Sequence, residues 1–84
     1  MEQQAIEKKV LNVLRDVAPN IDPDEIDSDT NFKDQFDFNS IDHLNLVLGI
    51  GKEFGFEIPE TDYPKLSCLS GCVSYLARQE IAAA

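Results

Sequence analysis

The chain has few basic residues and no long apolar run, and each shortage excludes a class of protein. Its 84 residues include seven lysines and arginines against 16 acids, a formal charge of −9. Nucleic acid is therefore excluded as a direct partner, because phosphate contacts need clustered basic side chains. No apolar run approaches the roughly 20 residues that a spanning helix needs. The N-terminus also lacks the basic and apolar segments of a secretory signal.

The only cysteines, Cys68 and Cys72, are too few for a metal site, because no second Cys-x-x-Cys or histidine pair accompanies them. They lie one turn apart in a predicted helix, so we expect buried, reduced thiols in a cytoplasmic protein. Residues 27–31 fit the first ligands of an EF-hand loop. However, Phe32 and Phe38 stand where that loop requires glycine and a final glutamate. We therefore expect no metal ion.

Apolar spacing predicts an all-α fold with three main helices, one short helix and a long first connection. Apolar residues at intervals of three and four predict a first helix that ends at Pro19. Residues 19–39 form an acidic connection, which we expect to be ordered by its apolar residues, with a short turn near residues 23–26. The first stripe comprises Ile6, Val10, Val13, Leu14 and Val17, and the connection contributes Ile21, Ile26, Phe32 and Phe36.

The second predicted helix spans residues 40–54 and stops at Gly55. Asn39 suits the N-cap position and Asp42 falls three residues later, close to a capping-box arrangement. If Asn39 caps the helix, the hydroxyl of Ser40 is free.

This helix has two apolar arcs, which leave two interpretations open. It is either the central helix of a bundle, buried on both arcs, or its second arc stays exposed beside Ser40 as a docking patch. Its interior glycines, Gly49 and Gly51, indicate either close packing or a soft helix. The first arc comprises Leu46, Val47, Ile50 and Phe54, and the second comprises Ile41, Leu44 and Leu48.

The remaining chain predicts a short turn or helix over residues 60–65 and a final helix capped by Ser67. The core stripe of the final helix is Leu69, Cys72, Val73 and Leu76. We expect its tail, residues 82–84, to fray.

Four segments of the chain resemble acyl carrier proteins, and together they cover nearly its whole length. Residues 37–44 (Asp-Phe-Asn-Ser-Ile-Asp-His-Leu) are similar to the modification motif, in which an Asp-Ser-Leu triplet opens the second helix. Residues 53–59 resemble the acid-Phe-Gly-x-x-Ile-Pro segment of that family. Residues 30–32 resemble the loop ahead of its serine, and residues 73–76 resemble the end of its last helix.

The resemblance implies a single carrier domain over residues 1–84, a four-helix bundle and 4′-phosphopantetheine on Ser40, with cargo held as a thioester. It implies no catalytic residue, since such a carrier is the substrate of other enzymes. These are a phosphopantetheinyl transferase and acyl-transferring or ligase enzymes with basic or apolar docking patches, in fatty acid, lipid or secondary-metabolite synthesis. Because the chain starts with Met and ends after the last helix, we expect a free-standing carrier, and a monomer. The residues expected to meet partners are Asn39, Ile41, Asp42, Leu44, Asn45 and Leu48.

The second helix is less acidic than is usual in this family. Asn39 replaces the usual aspartate, while Asn45, Gly51 and Lys52 stand where many fatty-acid carriers have acids. His43 can add a positive charge. These differences predict a specialised carrier with dedicated partners.

Other functions compete with this interpretation. Asn39 leaves open an unmodified interaction module that keeps the carrier fold, and an aminoacyl, peptidyl or polyketide cargo also stays open. A serine hydrolase is disfavoured, because Ser40 and His43 are accompanied by neither a Gly-x-Ser-x-Gly elbow nor a second histidine.

Overall fold

The computed structural model describes residues 2–83, and side chains as far as Gln79. The described chain is helical and contains no strand, which confirms the predicted all-α class. Its elements in chain order are helix α1 (Gln3–Val17), a 3-10 segment (Pro23–Glu25), helix α2 (Phe32–Gln35), helix α3 (Ser40–Phe54), a second 3-10 segment (Glu60–Leu66) and helix α4 (Leu69–Ala83).

Helix α1 packs against both α3 and α4, and the second 3-10 segment packs against α4. Four of the five predicted stripe residues of α1 are buried, and only Val17 is half-buried. The first arc of α3 is buried at Leu46, Val47 and Ile50, with Phe54 partly exposed. Among the residues described, no helix is both long and apolar enough to cross a membrane.

Close packing accounts for the two interior glycines of α3. A Cβ at Gly49 would lie 2.6 Å from Cγ1 of Val13, and one at Gly51 would lie 2.6 Å from the carbonyl oxygen of Phe56. Both distances are shorter than real Cβ contacts. The helix ends as predicted at Gly55, whose φ of 79° is left-handed and favours glycine.

The first connection is ordered, as predicted, and its turn forms as the 3-10 segment Pro23–Glu25. Helix α2 was not predicted, because four residues are too few to show a period. It is stabilised by burial of Phe32, which is 1% exposed, and by the Phe32 N–H, which donates to the carbonyl of Ser67 at 2.9 Å. Nearby, the Ser70 N–H donates to the carbonyl of Ser28 at 2.9 Å. These bonds fasten the connection to the start of α4.

The predicted cap of the last helix is wrong by one residue. Helix α4 begins at Leu69, and Cys68 occupies the cap position, with its Sγ accepting from the Gly71 N–H at 3.4 Å. Ser67 instead donates its hydroxyl to the carbonyl of Pro64 at 2.5 Å. The fraying predicted for residues 82–84 lies outside the fully described residues.

The thiol and stripe predictions for α4 are confirmed in part. Both cysteines are free, but only Cys72 is buried, and Cys68 is half-buried because it lies at the helix end. Burial raises the pKa of the Cys72 thiol to about 12, since a thiolate there would lose its water. Tyr75 is buried in the stripe, whereas Val73 is only half-buried.

Candidate attachment site and docking surface

Ser40 is an exposed residue that opens helix α3. The predicted capping box is present: Oδ1 of Asn39 accepts from the Asp42 N–H at 2.9 Å, and the Asn39 N–H donates to Oδ2 of Asp42 at 3.2 Å. Asn39 therefore satisfies the helix start, and the Ser40 hydroxyl is left out of the cap. A nucleophilic oxygen is exposed here at no cost to the fold.

The start of α3 is also suited to an anion. The first N–H groups of a helix have no acceptor within it, and the helix dipole is positive at this end. The side chain of Asn39 accepts only the N–H of Asp42. The N–H groups of Ser40 and Ile41 remain available for solvent or for a negatively charged group on Ser40.

A largely apolar cleft of about 540 Å³ opens beside Ser40. Its walls come from α2, the end of the connection, the first turns of α3 and the second 3-10 segment. Phe32 and Phe38 form one side, with ring centroids 5.5 Å apart. The apolar side chains that line it are Phe32, Phe38, Leu44, Tyr63 and Pro64.

His43 also lines this cleft. It is half-buried, and its Nε2 lies 3.2 Å from the carbonyl oxygen of Leu66. Because a carbonyl can only accept, Nε2 carries the hydrogen and donates it. The bond joins α3 to the end of the second 3-10 segment, so His43 helps to hold the cleft together.

The second arc of α3 is exposed, which excludes burial of this helix on both arcs. Ile41 is 68% exposed, Leu44 41% and Leu48 56%. These three residues form an apolar patch, the α3 patch, along the helix that Ser40 opens. Asn39 and Asn45 are exposed as well, whereas Asp42 is half-buried. One Asp42 oxygen is already used in the cap.

The negative charge lies mainly outside α3. Residues 19–39 contain seven carboxylates and one lysine, a net −6 of the chain's −9, whereas α3 contains two carboxylates and one lysine. Three acids of the connection, together with Asp42 of α3, line a second cleft of about 520 Å³. Within residues 2–79, no group of three or more potential ligands is arranged to hold a metal ion. The acids that line the cleft of about 520 Å³ are Asp22, Glu25, Asp37 and Asp42.

Sequence reasoning missed the residues that complete the apolar cleft. Lys33, Tyr63, Pro64 and Ser67 line it together with Ser40, although up to 34 positions separate these residues in the chain. Their only local signal is an aromatic residue before a proline, Tyr63-Pro64, in a segment that otherwise indicates a polar turn. Tertiary packing, rather than any local pattern, brings them to the site.

An exposed serine at a capped helix start, beside an apolar cleft in a helical bundle, fits a carrier domain. The family model described as the phosphopantetheine attachment site matches residues 8–76. The acyl carrier protein of Lactobacillus acidophilus is 36% identical over 73 residues, which cover 83% of this chain and 91% of that protein. The acyl carrier protein of Bdellovibrio bacteriovorus is 32% identical over 75 residues, covering 89% and 95%.

A more distant relative is the mitochondrial acyl carrier protein 2 of Arabidopsis thaliana, 26% identical over 77 residues that cover 92% of this chain and 60% of that protein. The chain belongs to the acyl carrier protein family. It is accordingly a carrier rather than a catalyst, and its prosthetic group is 4′-phosphopantetheine. Its partners include a phosphopantetheinyl transferase and acyl-handling enzymes.

Proposed function

We propose that Ser40 carries the phosphopantetheine and that the chain presents an acyl group to biosynthetic enzymes. The observation that carries this proposal is the division of roles at the start of α3. Asn39 makes the cap, so the exposed hydroxyl of Ser40 can be esterified without loss of a structural hydrogen bond. The N–H groups of Ser40 and Ile41 suit the phosphodiester that would form there. The thiol of the prosthetic group supplies thioester chemistry when it is bound.

The α3 patch is the surface on which we expect partner enzymes to dock. Ile41, Leu44 and Leu48 supply exposed apolar area near Ser40. The polar groups of Asn39, Asp42 and Asn45 surround this area and can fix the orientation of a partner. Because α3 carries little net charge, the matching surface of a partner should be apolar at its centre, with basic residues toward the acidic connection.

The cleft beside Ser40 favours an apolar cargo, since aromatic and aliphatic side chains form most of its walls. This supports a fatty acyl or polyketide group over an aminoacyl group. We further propose that dedicated enzymes use this carrier in fatty acid, lipid or secondary-metabolite synthesis. The carrier would act in the cytoplasm as a monomeric single domain. The sparse charge of α3 is the feature that favours dedicated enzymes.

Intact mass tests the attachment. The purified chain is incubated with coenzyme A and a broad-specificity phosphopantetheinyl transferase. The wild type and Ser28→Ala, which removes another exposed serine, should each gain one phosphopantetheine. Ser40→Ala should gain none while keeping the wild-type circular dichroism spectrum. Modification of Ser40→Ala would show that another residue is the attachment point.

Asn39 favours one alternative, an unmodified interaction module with the carrier fold. It stands where an aspartate precedes the serine in the motif that this segment resembles. Failure of the wild type to gain mass with several transferases, while Asn39→Asp is modified, would support this alternative and contradict the carrier proposal.

A further inference from the structure

We propose that Tyr63 sets the length of acyl chain that this carrier can shelter. The proposal deepens the function above and rests on attachment at Ser40. According to this proposal, the Tyr63 side chain forms the end wall of the cleft beside Ser40. Short apolar acyl chains are covered as far as this wall, and any longer part of a chain remains exposed to water.

Two separate clefts lie along α3, and Tyr63 borders both of them. The first, of about 540 Å³, includes Ser40 and Leu44 in its lining. The second, of about 510 Å³, includes Leu48 and Ile58. Because Tyr63 belongs to both linings, it lies where the two spaces meet.

The two clefts follow one another along the helix. Leu44 and Leu48 are one turn apart, about 6 Å along the axis at 1.5 Å per residue. The lining of the second cleft continues to Lys52, about 6 Å further along the axis. Both clefts are bordered by apolar side chains, so removal of the ring should join them into one groove along α3.

The segment that carries Tyr63 is held in position through its neighbours in the second 3-10 segment. On one side, Asp62 accepts hydrogen bonds from the Tyr75 hydroxyl at 2.8 Å and from Nζ of Lys65 at 3.1 Å. On the other side, Leu66 is fully buried, and its carbonyl accepts from Nε2 of His43. Because the segment is fixed on both sides of Tyr63, the backbone that carries the ring is not free to shift away from the cleft.

The test measures how much an attached chain stabilises the fold. Acetyl, butanoyl, hexanoyl, octanoyl, decanoyl and tetradecanoyl forms are prepared from the matching acyl-coenzyme A, and each Tm is compared with that of the form bearing phosphopantetheine alone. Each methylene that enters the cleft leaves water and stabilises the folded state. The wild-type Tm should therefore rise with chain length and then level off.

In Tyr63→Ala, the gain in Tm should continue to longer chains, adding about 4–8 °C beyond the wild-type plateau. Tyr63→Phe keeps the ring and should keep the wild-type plateau. Phe54→Ala is the matched control, because Phe54 is a half-buried aromatic residue that lines neither cleft. It should lower Tm in every form and leave the plateau at the same chain length.

Identical plateaus in the wild type and Tyr63→Ala would overturn the proposal, as would a wild-type Tm that keeps rising through tetradecanoyl. If Tyr63→Ala does not fold, Tyr63→Leu shortens the wall with a smaller loss of apolar volume, and the same criterion applies. Intact mass is read before each melt. Absence of loading contradicts attachment at Ser40, whereas full loading with no effect of Tyr63→Ala contradicts only the role of Tyr63.

Discussion

Replacement of Asn39 by alanine should weaken the start of α3 while the Ser40 hydroxyl stays in place. The substitution removes Oδ1, the acceptor of the Asp42 N–H at 2.9 Å. The reciprocal bond, from the Asn39 N–H to Asp42, uses backbone and can persist. Loss of one side-chain cap costs about 1 kcal/mol. In a domain of this size that loss lowers Tm by about 4–8 °C.

Asn39→Asp tests the effect of a charge at position 39 separately from the effect of the cap. An aspartate keeps the acceptor and gains about 0.3–1 kcal/mol from the helix dipole. Repulsion from Asp42, its partner in the capping box, opposes that gain. We therefore expect a free energy of unfolding within about 0.5 kcal/mol of the wild type. A difference in loading rate between Asn39→Asp and the wild type then shows how the charge at position 39 affects the transferase.

Thermal unfolding followed by far-ultraviolet circular dichroism measures the stability, and intact mass over time measures the loading at Ser40. Asn45→Ala is the control for the stability measurement, since Asn45 is an exposed amide on the same helix with no role in the cap. The reasoning is refuted if Asn39→Ala melts with the wild type. It is also refuted if Asn39→Asp is destabilised as much as Asn39→Ala.

Two further predictions concern the α3 patch and the pH dependence of stability. Leu48→Ser should leave Tm nearly unchanged. It should raise the KM of the transferase about fivefold or more, because apolar area buried on docking is lost. An unchanged KM would place docking elsewhere. Hydrogen bonds from Tyr75 and Lys65 lower the pKa of Asp62, so its stabilising effect is present above its usual value of 3.8 and disappears as pH falls through the lower folded value. Burial and the Asp62 contact raise the pKa of Tyr75 to about 12, so stability is full below its usual value of 10 and falls as pH rises toward 12. Urea unfolding at a series of pH values should therefore show that the free energy of unfolding depends less on pH in Tyr75→Phe than in the wild type, at both acid and alkaline pH. Equal slopes in the two proteins would contradict this.

Features that depend on nearby residues could be predicted from the sequence. The capping box needs only Asn39 and Asp42, three positions apart, and the end of α3 needs only a glycine at position 55. The exposure of the α3 patch could not be decided from periodicity, because two apolar arcs fit both burial and docking equally well. The structure decides it, since α1 covers only one face of α3.

Features that depend on distant residues were missed. The contact of His43 with the carbonyl of Leu66 joins positions 23 apart, and helix α2 is held by a bond from Phe32 to Ser67. Tyr63 has no periodic pattern around it, yet it borders two clefts. Each of these depends on how the second 3-10 segment lies against the rest of the chain, which no local pattern of residues specifies.

The separation between the acidic connection and the nearly neutral α3 has a kinetic consequence. A field from residues 19–39 acts over roughly a Debye length and raises the association rate of a basic partner, an effect that added salt removes. If partners dock on the α3 patch, as proposed above, that patch acts only on contact and governs the dissociation rate, which salt changes little. The carrier can thus be found quickly by a partner and released at a rate set by a few apolar side chains. Speed of encounter and duration of the complex can then be altered independently, by substitutions in different segments of the chain.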